Sequence, residues 1–532
     1  MADWVQLFAV ARFGRPLVLF AALWSTCWIT GKALRSGSAA TIVLPAARRL
    51  LIGLAAVSLV AFAAIAIWYA ADERYYDFAE PTMPAVAWMF KIGKPLYPPP
   101  DAADRYAHIY GPMAFVPHAL AMTFFGAGLT VTKWVGAAAG LLALLFVFLS
   151  LRSVLKTWRA VVFTGYCALL LLVFRNAAFW NRPDSLELLC VSMALWAIHR
   201  RTSTAAWLLL GVSAGVLWNL KFIGPLYSLP LFALFLERAG PRPVLLAAVT
   251  AAIVVVLPFA ALSNVSFHDY LTWIRVSAGN GIVWSTLRQN VEWGLYLLVP
   301  LGLALRARAS QEVPPRVSIR VTVAFCLAIC GVVVLASKPG AGPYHLLPFI
   351  PIAGLLTAIH VESLRGGADR ALVLPCLAFV AVAFLITLAQ QTSFVSTVRQ
   401  INAIDPVADV TRFSSQHPGA TLEVGYSSDE RMTFIRPLLV FRSNQYLLDQ
   451  PAIQEHQLSG VGIPAATRAA LRSCAVTFWL LPKGGIPFSA VNRYPKMAGR
   501  ALFDEEFRRA FFDSYRPAGA TKFFDVWACA AN

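Results

Sequence analysis

Three stretches of this chain, 50–69, 244–262 and 371–388, run 18 to 20 residues without a charge. A helix rises 1.5 Å per residue, so each can cross the roughly 30 Å hydrocarbon core of a bilayer. The composition agrees. Of 532 residues, 58% are hydrophobic and only 14% are charged, and mean hydropathy is +0.64. That leaves too little polar surface to cover a soluble core of this size. The expected fold is mainly α: a polytopic transmembrane helical bundle of about a dozen spans, then a soluble α/β segment.

Spans are expected near 17–34, 50–70, 131–151, 160–177, 184–199, 204–218, 222–237, 244–262, 292–306, 319–337, 344–362 and 371–390. Basic clusters fall between them at Lys32/Arg35/Arg48/Arg49, Arg152/Lys156/Arg159, Arg200/Arg201, Arg238/Arg242, Arg306/Arg308/Arg316/Arg320 and Arg365/Arg370. Each interval between clusters has room for two spans, which puts all six on the cytoplasmic side. Counting 110–126 as a span would break that pattern, so it reads as a helix lying at the membrane interface. The net charge of +18 has the same origin. Residues 1–390 hold 30 Lys/Arg and 15 Asp/Glu (30 − 15 = +15), while 391–532 hold 15 and 12 (15 − 12 = +3). A nucleic-acid partner is not implied. No removable signal peptide is expected.

This topology places Asp72, Glu73, Asp77, Glu80, His108, Tyr110, Arg175, Asn181, Arg182, Asp184, Lys221, Lys338, Tyr344 and His345 at the opposite, outer ends of spans or in outer loops. Any one of them can simply snorkel to the headgroups. A carboxylate-rich loop with several cations on one face fits a shared polar site better, because ionisable groups at membrane depth are costly. The expected domains are 1–394, carrying a long outer loop at 71–130, and 395–532 on the outer side. Within the latter, 422–426, 438–441, 475–481 and 523–528 read as strands, with helices at 465–472 and 504–512. Asp405, Asp409, Asp429 and Glu430 read as a solvated face, and Asp504-Glu505 as a helix start. Six cysteines lie in apolar spans; Cys474 and Cys529 can pair in an oxidising compartment.

Asp72-Glu73 stands just beyond a span. Such a pair can take a proton from an attacking hydroxyl, hold a metal, or end a helix. Transfer from a phosphate also needs cations for the departing group. Arg182 in Trp180-Asn181-Arg182-Pro183-Asp184, Lys221 in Asn219-Leu220-Lys221-Phe222 and Lys338 in Ser337-Lys338-Pro339-Gly340 are the candidates. No Asp-x-Asp occurs, so no metal or other cofactor is called for by a motif. His345 also reads as an interfacial histidine, and the aromatic content as an interface belt.

Taken in order, Asp72-Glu73-Arg74-Tyr75, Gly93-Lys94-Pro95-Leu96-Tyr97, Tyr110-Gly111-Pro112, Arg182-Pro183-Asp184 and Tyr344-His345-Leu346-Leu347-Pro348 resemble the GT-C superfamily of membrane glycosyltransferases. The likeness is to its protein O-mannosyltransferase and lipid A aminoarabinose transferase group, over roughly 50–390. The resemblance implies sugar transfer from a polyprenyl-phosphate-linked donor to a lipid, glycan or protein acceptor, outside the bacterial cytoplasmic (inner) membrane, with the C-terminal domain in the periplasm. It implies Asp72 as base with Glu73 as competitor. Arg182, Lys221 and Lys338 would hold the phosphate, and Tyr97, His108, Tyr110, Tyr344 and His345 would line the sugar or lipid pocket, with Asp77 and Glu80 among the substrate-binding acids. Asp184 is a third such acid, with pairing to Arg182 to orient it as the alternative. The sequence 76–81 departs from the group's second motif. A polysaccharide ligase or polymerase needs much the same chemistry. A transporter or flippase fits less well, because its charges would sit near mid-membrane on broken helices related by repeats. A membrane-anchored binding protein would need only one span.

Overall fold

The computed structural model describes residues 16–34, 40–199, 204–309, 317–364, 368–427 and 429–530. Arg35, Arg200, Arg201, Arg316 and Arg365 of the topology clusters lie outside these. The chain divides into two compact units: 1–69, 136–255 and 282–395 form the first, and 70–135, 256–281 and 396–532 the second. The segment 71–130 and the segment after 395 fall in the same unit.

Every expected span holds a helix, including Pro16–Leu34, Leu129–Arg152, Pro183–Ile198, Thr204–Leu220, Gly224–Ala239 and Ile319–Leu335. Among the described residues, Leu44–Ala71, Leu129–Arg152, Pro241–Ala261 and the apolar part of Ala368–Asn402 are long and apolar enough to cross a membrane. On Pro241–Ala261, Leu245, Ile253 and Val256 are 65%, 60% and 58% exposed, a surface that water would penalise and hydrocarbon would not. Two helices fall five residues short of the expected span at one end. Thr157–Leu172 stops early, giving way to a run of turns through Arg175, whose φ is +59°. The 344–362 span begins at Phe349, because Pro343 and Pro348 confine Tyr344 and His345 to a 3-10 turn, Pro343–Leu346.

The second unit is built on a four-stranded sheet ordered β1-β2-β4-β3, with β1 Leu422–Val424, β2 Phe478–Pro482, β3 Tyr515–Ala520 and β4 Phe524–Cys529. β1 and β2 are parallel and the other pairs antiparallel. Alternation along β2 fills both faces: Trp479 and Leu481 join Phe488, Phe507 and Phe511, while Leu480 joins Val424, Leu439 and Val526. Cys474 and Cys529 form a disulfide with Cα atoms 5.8 Å apart. The expected strand at 438–441 is a helix, Arg436–Ser443. Pro437 presets its first turn, Asn444 in the left-handed region (φ +54°) ends it, and a short apolar run does not distinguish the two conformations. Asp409 and Glu430 are not solvated. Asp409 accepts from the Phe523 amide at 3.0 Å, and Glu430 is ion-paired with Arg493.

Candidate active site

In the first unit, three chain segments meet around a buried ionic group. Pro183 at the first helical position holds Arg182 extended (φ −116°, ψ 168°) and starts Pro183–Ile198. That puts Asp184 and Glu187, three residues apart, on one helix face. Lys221 follows the last residue of Thr204–Leu220. A Cβ on Gly224 would sit 1.9 Å from the Leu217 carbonyl oxygen, so the tight turn after Lys221 requires glycine there. A Cβ on Gly136 would sit 1.9 Å from the Trp180 carbonyl oxygen, so that helix can press on the turn preceding Arg182 only as glycine.

Lys221 Nζ donates to Asp184 Oδ1 at 2.6 Å and to Glu187 Oε2 at 3.1 Å. Arg182 Nε lies 3.9 Å from Asp184 Oδ2. Both carboxylates are 0% exposed, Lys221 5% and Arg182 7%. Two cations against two carboxylates balance the charge, as burial demands. The Arg182 guanidinium stands 4.2 Å from the Trp180 ring centroid and 5.5 Å from that of Tyr344. The His345 ring lies tilted beside that of Tyr344, centroids 4.4 Å apart, and its carbonyl accepts from Tyr227 at 2.7 Å. Lys338 is half-buried and within electrostatic reach of His345. It opens a turn through Pro339 and Gly340 (φ +79°), closed by Ala341 N–H to the Lys338 carbonyl at 3.2 Å. The structure thus brings Arg182, Asp184, Lys221, Tyr344 and His345 together and adds Glu187. Arg175 is apart from them, donating to Gln390 at 3.0 Å and Ser393 at 2.8 Å.

In the second unit, Asp72 is held as an anion. Its Oδ1 accepts from the Arg74 amide at 2.9 Å and Nε at 3.0 Å, and its Oδ2 from Tyr76 at 2.6 Å. Burial pushes its proton affinity up, but the Arg74 and Tyr76 hydrogen bonds outweigh it and hold Asp72 below the usual carboxylate range. Lys133 Nζ donates to the Asp72 and Arg74 carbonyls at 2.6 and 2.9 Å, which fixes the turn. Glu73 is exposed, Glu80 is 0% exposed, and Asp77 accepts from the Ala79 amide at 3.0 Å.

Tyr97 and His108 are buried elsewhere in this unit. Tyr97 donates to the Tyr110 carbonyl at 2.8 Å. His108 Nε2 meets Asp449 Oδ2 at 2.7 Å, and Asp449 Oδ1 accepts from Thr82 at 2.9 Å, from Tyr446 and from Arg436 Nε at 3.2 Å. His108, through Asp449, ties the loop to the C-terminal segment, whereas the Tyr97 hydroxyl bonds within the loop. Among the described residues, no group of three or more His, Cys, Asp or Glu side chains is placed to hold a metal.

The family of dolichyl-phosphate-mannose-protein mannosyltransferases is matched over residues 110–266. The match includes Tyr110, Arg182, Asp184, Glu187 and Lys221, and excludes Asp72, Lys338, Tyr344 and His345. The match falls within the range over which the sequence resembles GT-C membrane glycosyltransferases, and the helical fold agrees with that resemblance. In particular, the chain is similar to ArnT from Cupriavidus metallidurans, in crystal structures bound to undecaprenyl phosphate and in the apo state. Identity is 14% and 15%, TM-score 0.54 for both, covering 89% of this chain and 97% of ArnT. The oligosaccharyltransferase of Archaeoglobus fulgidus is more distant, at 11% identity and TM-score 0.43 over 87% of this chain and 72% of its own. No curated protein matches the chain by sequence.

Proposed function

We propose that this chain moves a sugar from a polyprenyl-phosphate-linked donor to a lipid, glycan or protein acceptor at the outer face of a bacterial cytoplasmic membrane. It would do so with about a dozen spans and the C-terminal segment on the periplasmic side. One observation carries the reading: the buried Arg182–Asp184–Glu187–Lys221 group lies inside the stretch that matches a mannosyltransferase family. A bilayer-embedded cation pair held by carboxylates and flanked by aromatic rings suits a lipid-bound phosphate. The fold it shares with ArnT supports the lipid-linked donor.

In this reading the Asp72 carboxylate takes the proton of an acceptor hydroxyl as its oxygen attacks the anomeric carbon. The carbon–oxygen bond to phosphate breaks, and the polyprenyl phosphate leaves with the electron pair. Arg182, Lys221 and Lys338 stabilise that leaving group, and Asp184 and Glu187 position Lys221. Arg74 and Tyr76 keep Asp72 ionised. Tyr344 and His345 face the sugar or lipid, Asp77, Glu80 and Tyr110 contribute to substrate binding, and Tyr97 and His108 brace the loop. No resident cofactor enters these steps; the lipid-linked sugar is substrate. The test is release of polyprenyl phosphate from synthetic polyprenyl-phosphate mannose by the full chain in native membranes. Asp72→Asn should lower it about 100-fold or more, and Glu73→Gln only severalfold. Full activity in both variants would remove this loop from the chemistry.

A further inference from the structure

Within the second unit, a groove of about 410 Å³ opens between the helix Pro406–Gln416 and the end of β3. It lies in the C-terminal segment and contains none of the residues assigned above to transfer. Phe413, His417 and Phe478 form one wall. Their ring centroids are 4.3 Å apart for Phe413–His417, 4.8 Å for His417–Phe478 and 5.6 Å for Phe413–Phe478, and all three are only partly buried. Arg412, Gln416 and Lys522, all exposed, supply the polar lining. Asp409 also lines the groove, but its carboxylate receives the Lys522 and Phe523 amides at 3.4 and 3.0 Å, so its charge is met by the chain itself. Cationic side chains therefore set the sign of the groove.

The backbone contributes as well. β3 is an edge strand, and its pairing with β4 skips Ala518, a bulge that leaves this residue's peptide groups outside the ladder beside the groove. His417 Nδ1 is engaged by the Phe413 carbonyl at 3.0 Å, so Nε2 is the ring nitrogen left for a ligand. Its size is that of a small-ligand site, yet the lining is too polar and too open for an apolar ligand. Aromatic faces that stack on the C–H faces of a pyranose, hydroxyl-matching amide and imidazole groups, and two cations together define one ligand class.

We propose that this groove binds an acidic saccharide, through Arg412 and Lys522 at its anionic groups and through Phe413, His417 and Phe478 at a sugar ring. Taken with the transferase reading, on which only this step rests, the ligand is the glycan part of the acceptor, held while another of its groups is glycosylated.

The test uses the full chain in nanodiscs of neutral lipid, titrated with oligogalacturonate and, separately, with maltohexaose of matching length. Saturable oligogalacturonate binding is expected, weakening about tenfold or more in Arg412→Ala/Lys522→Ala, as loss of charge-assisted hydrogen bonds implies. Maltohexaose should bind more weakly and be indifferent to that change, while Phe413→Ala weakens both sugars. Unchanged oligogalacturonate binding in the double variant overturns the proposal. So does binding to phosphatidylglycerol vesicles that depends on these residues while oligogalacturonate does not compete. The readout is binding, so an inactive chain that still binds the sugar would refute the transferase reading and leave the groove standing.

Discussion

Replacing Asp449 by alanine removes the acceptor on which the outer loop and the C-terminal segment converge. Asp449 is 0% exposed and Arg436 3%. The substitution strands that guanidinium beside Thr82 and Tyr446, and breaking a buried pair from one side costs about 3–5 kcal/mol. Asp449 also caps the helix Gln450–Leu458 through the Ala452 amide at 3.1 Å, worth about 1 kcal/mol more. The expected local loss is about 4–6 kcal/mol, or about three to four decades in the opening equilibrium. Hydrogen exchange of the full chain reads it directly: amides across 78–110 and 445–456 should lose about a thousandfold or more in protection. The sign with pH follows from the same contacts. Burial raises the proton affinity of Asp449, but Arg436 and His108 lower it further, so its folded value lies below the unfolded one. Its stabilisation is complete above about pH 4, the unfolded carboxylate value, and fades as pH falls further toward the folded one. Asp449→Asn should remove that acid limb. A change in protection below tenfold, or an acid limb that survives Asp449→Asn, would refute the reasoning.

Lys221→Met leaves the buried Asp184 and Glu187 against Arg182 alone and should cost about 3–5 kcal/mol in detergent-driven unfolding, part of it restored by adding Glu187→Gln. Arg74→Gln removes the strongest opposition to burial at Asp72, so the acid limb of transfer should move to higher pH, with Tyr76→Phe moving it in the same direction. Cys474→Ser opens a disulfide spanning 55 residues and should lower stability of the C-terminal segment by about 4 kcal/mol on the loop-entropy argument, measured by denaturant unfolding without reductant.

Helix positions were legible because an apolar run of 20 residues has little choice of structure, and Arg182, Lys221 and Tyr344 because charged or aromatic residues at span ends stand out. Glu187 was missed inside the expected span 184–199. Its signal was the three-residue spacing from Asp184, which places two carboxylates on one helix face. The partnership of Lys221 with both was not legible, since it joins residues 37 and 34 apart on different helices. His108 pairs with a residue 341 positions away, so no local pattern could move it from a sugar pocket to a brace. Asp409 and Glu430 looked solvated because sequence spacing does not report which backbone amides or arginines fold back onto a carboxylate.

The disulfide, the sheet and the Asp449 network make the stretch after residue 395 a scaffold for the loop that bears Asp72. Arg105 shows how thoroughly: its amide donates to the Leu447 carbonyl at 2.7 Å and its guanidinium meets His456 at 3.1 Å. Truncating the C-terminal segment would therefore leave that loop without its mould, and an inactive truncate would say nothing about acceptor choice. Point changes confined to the surface of the segment are the way to ask what it recognises.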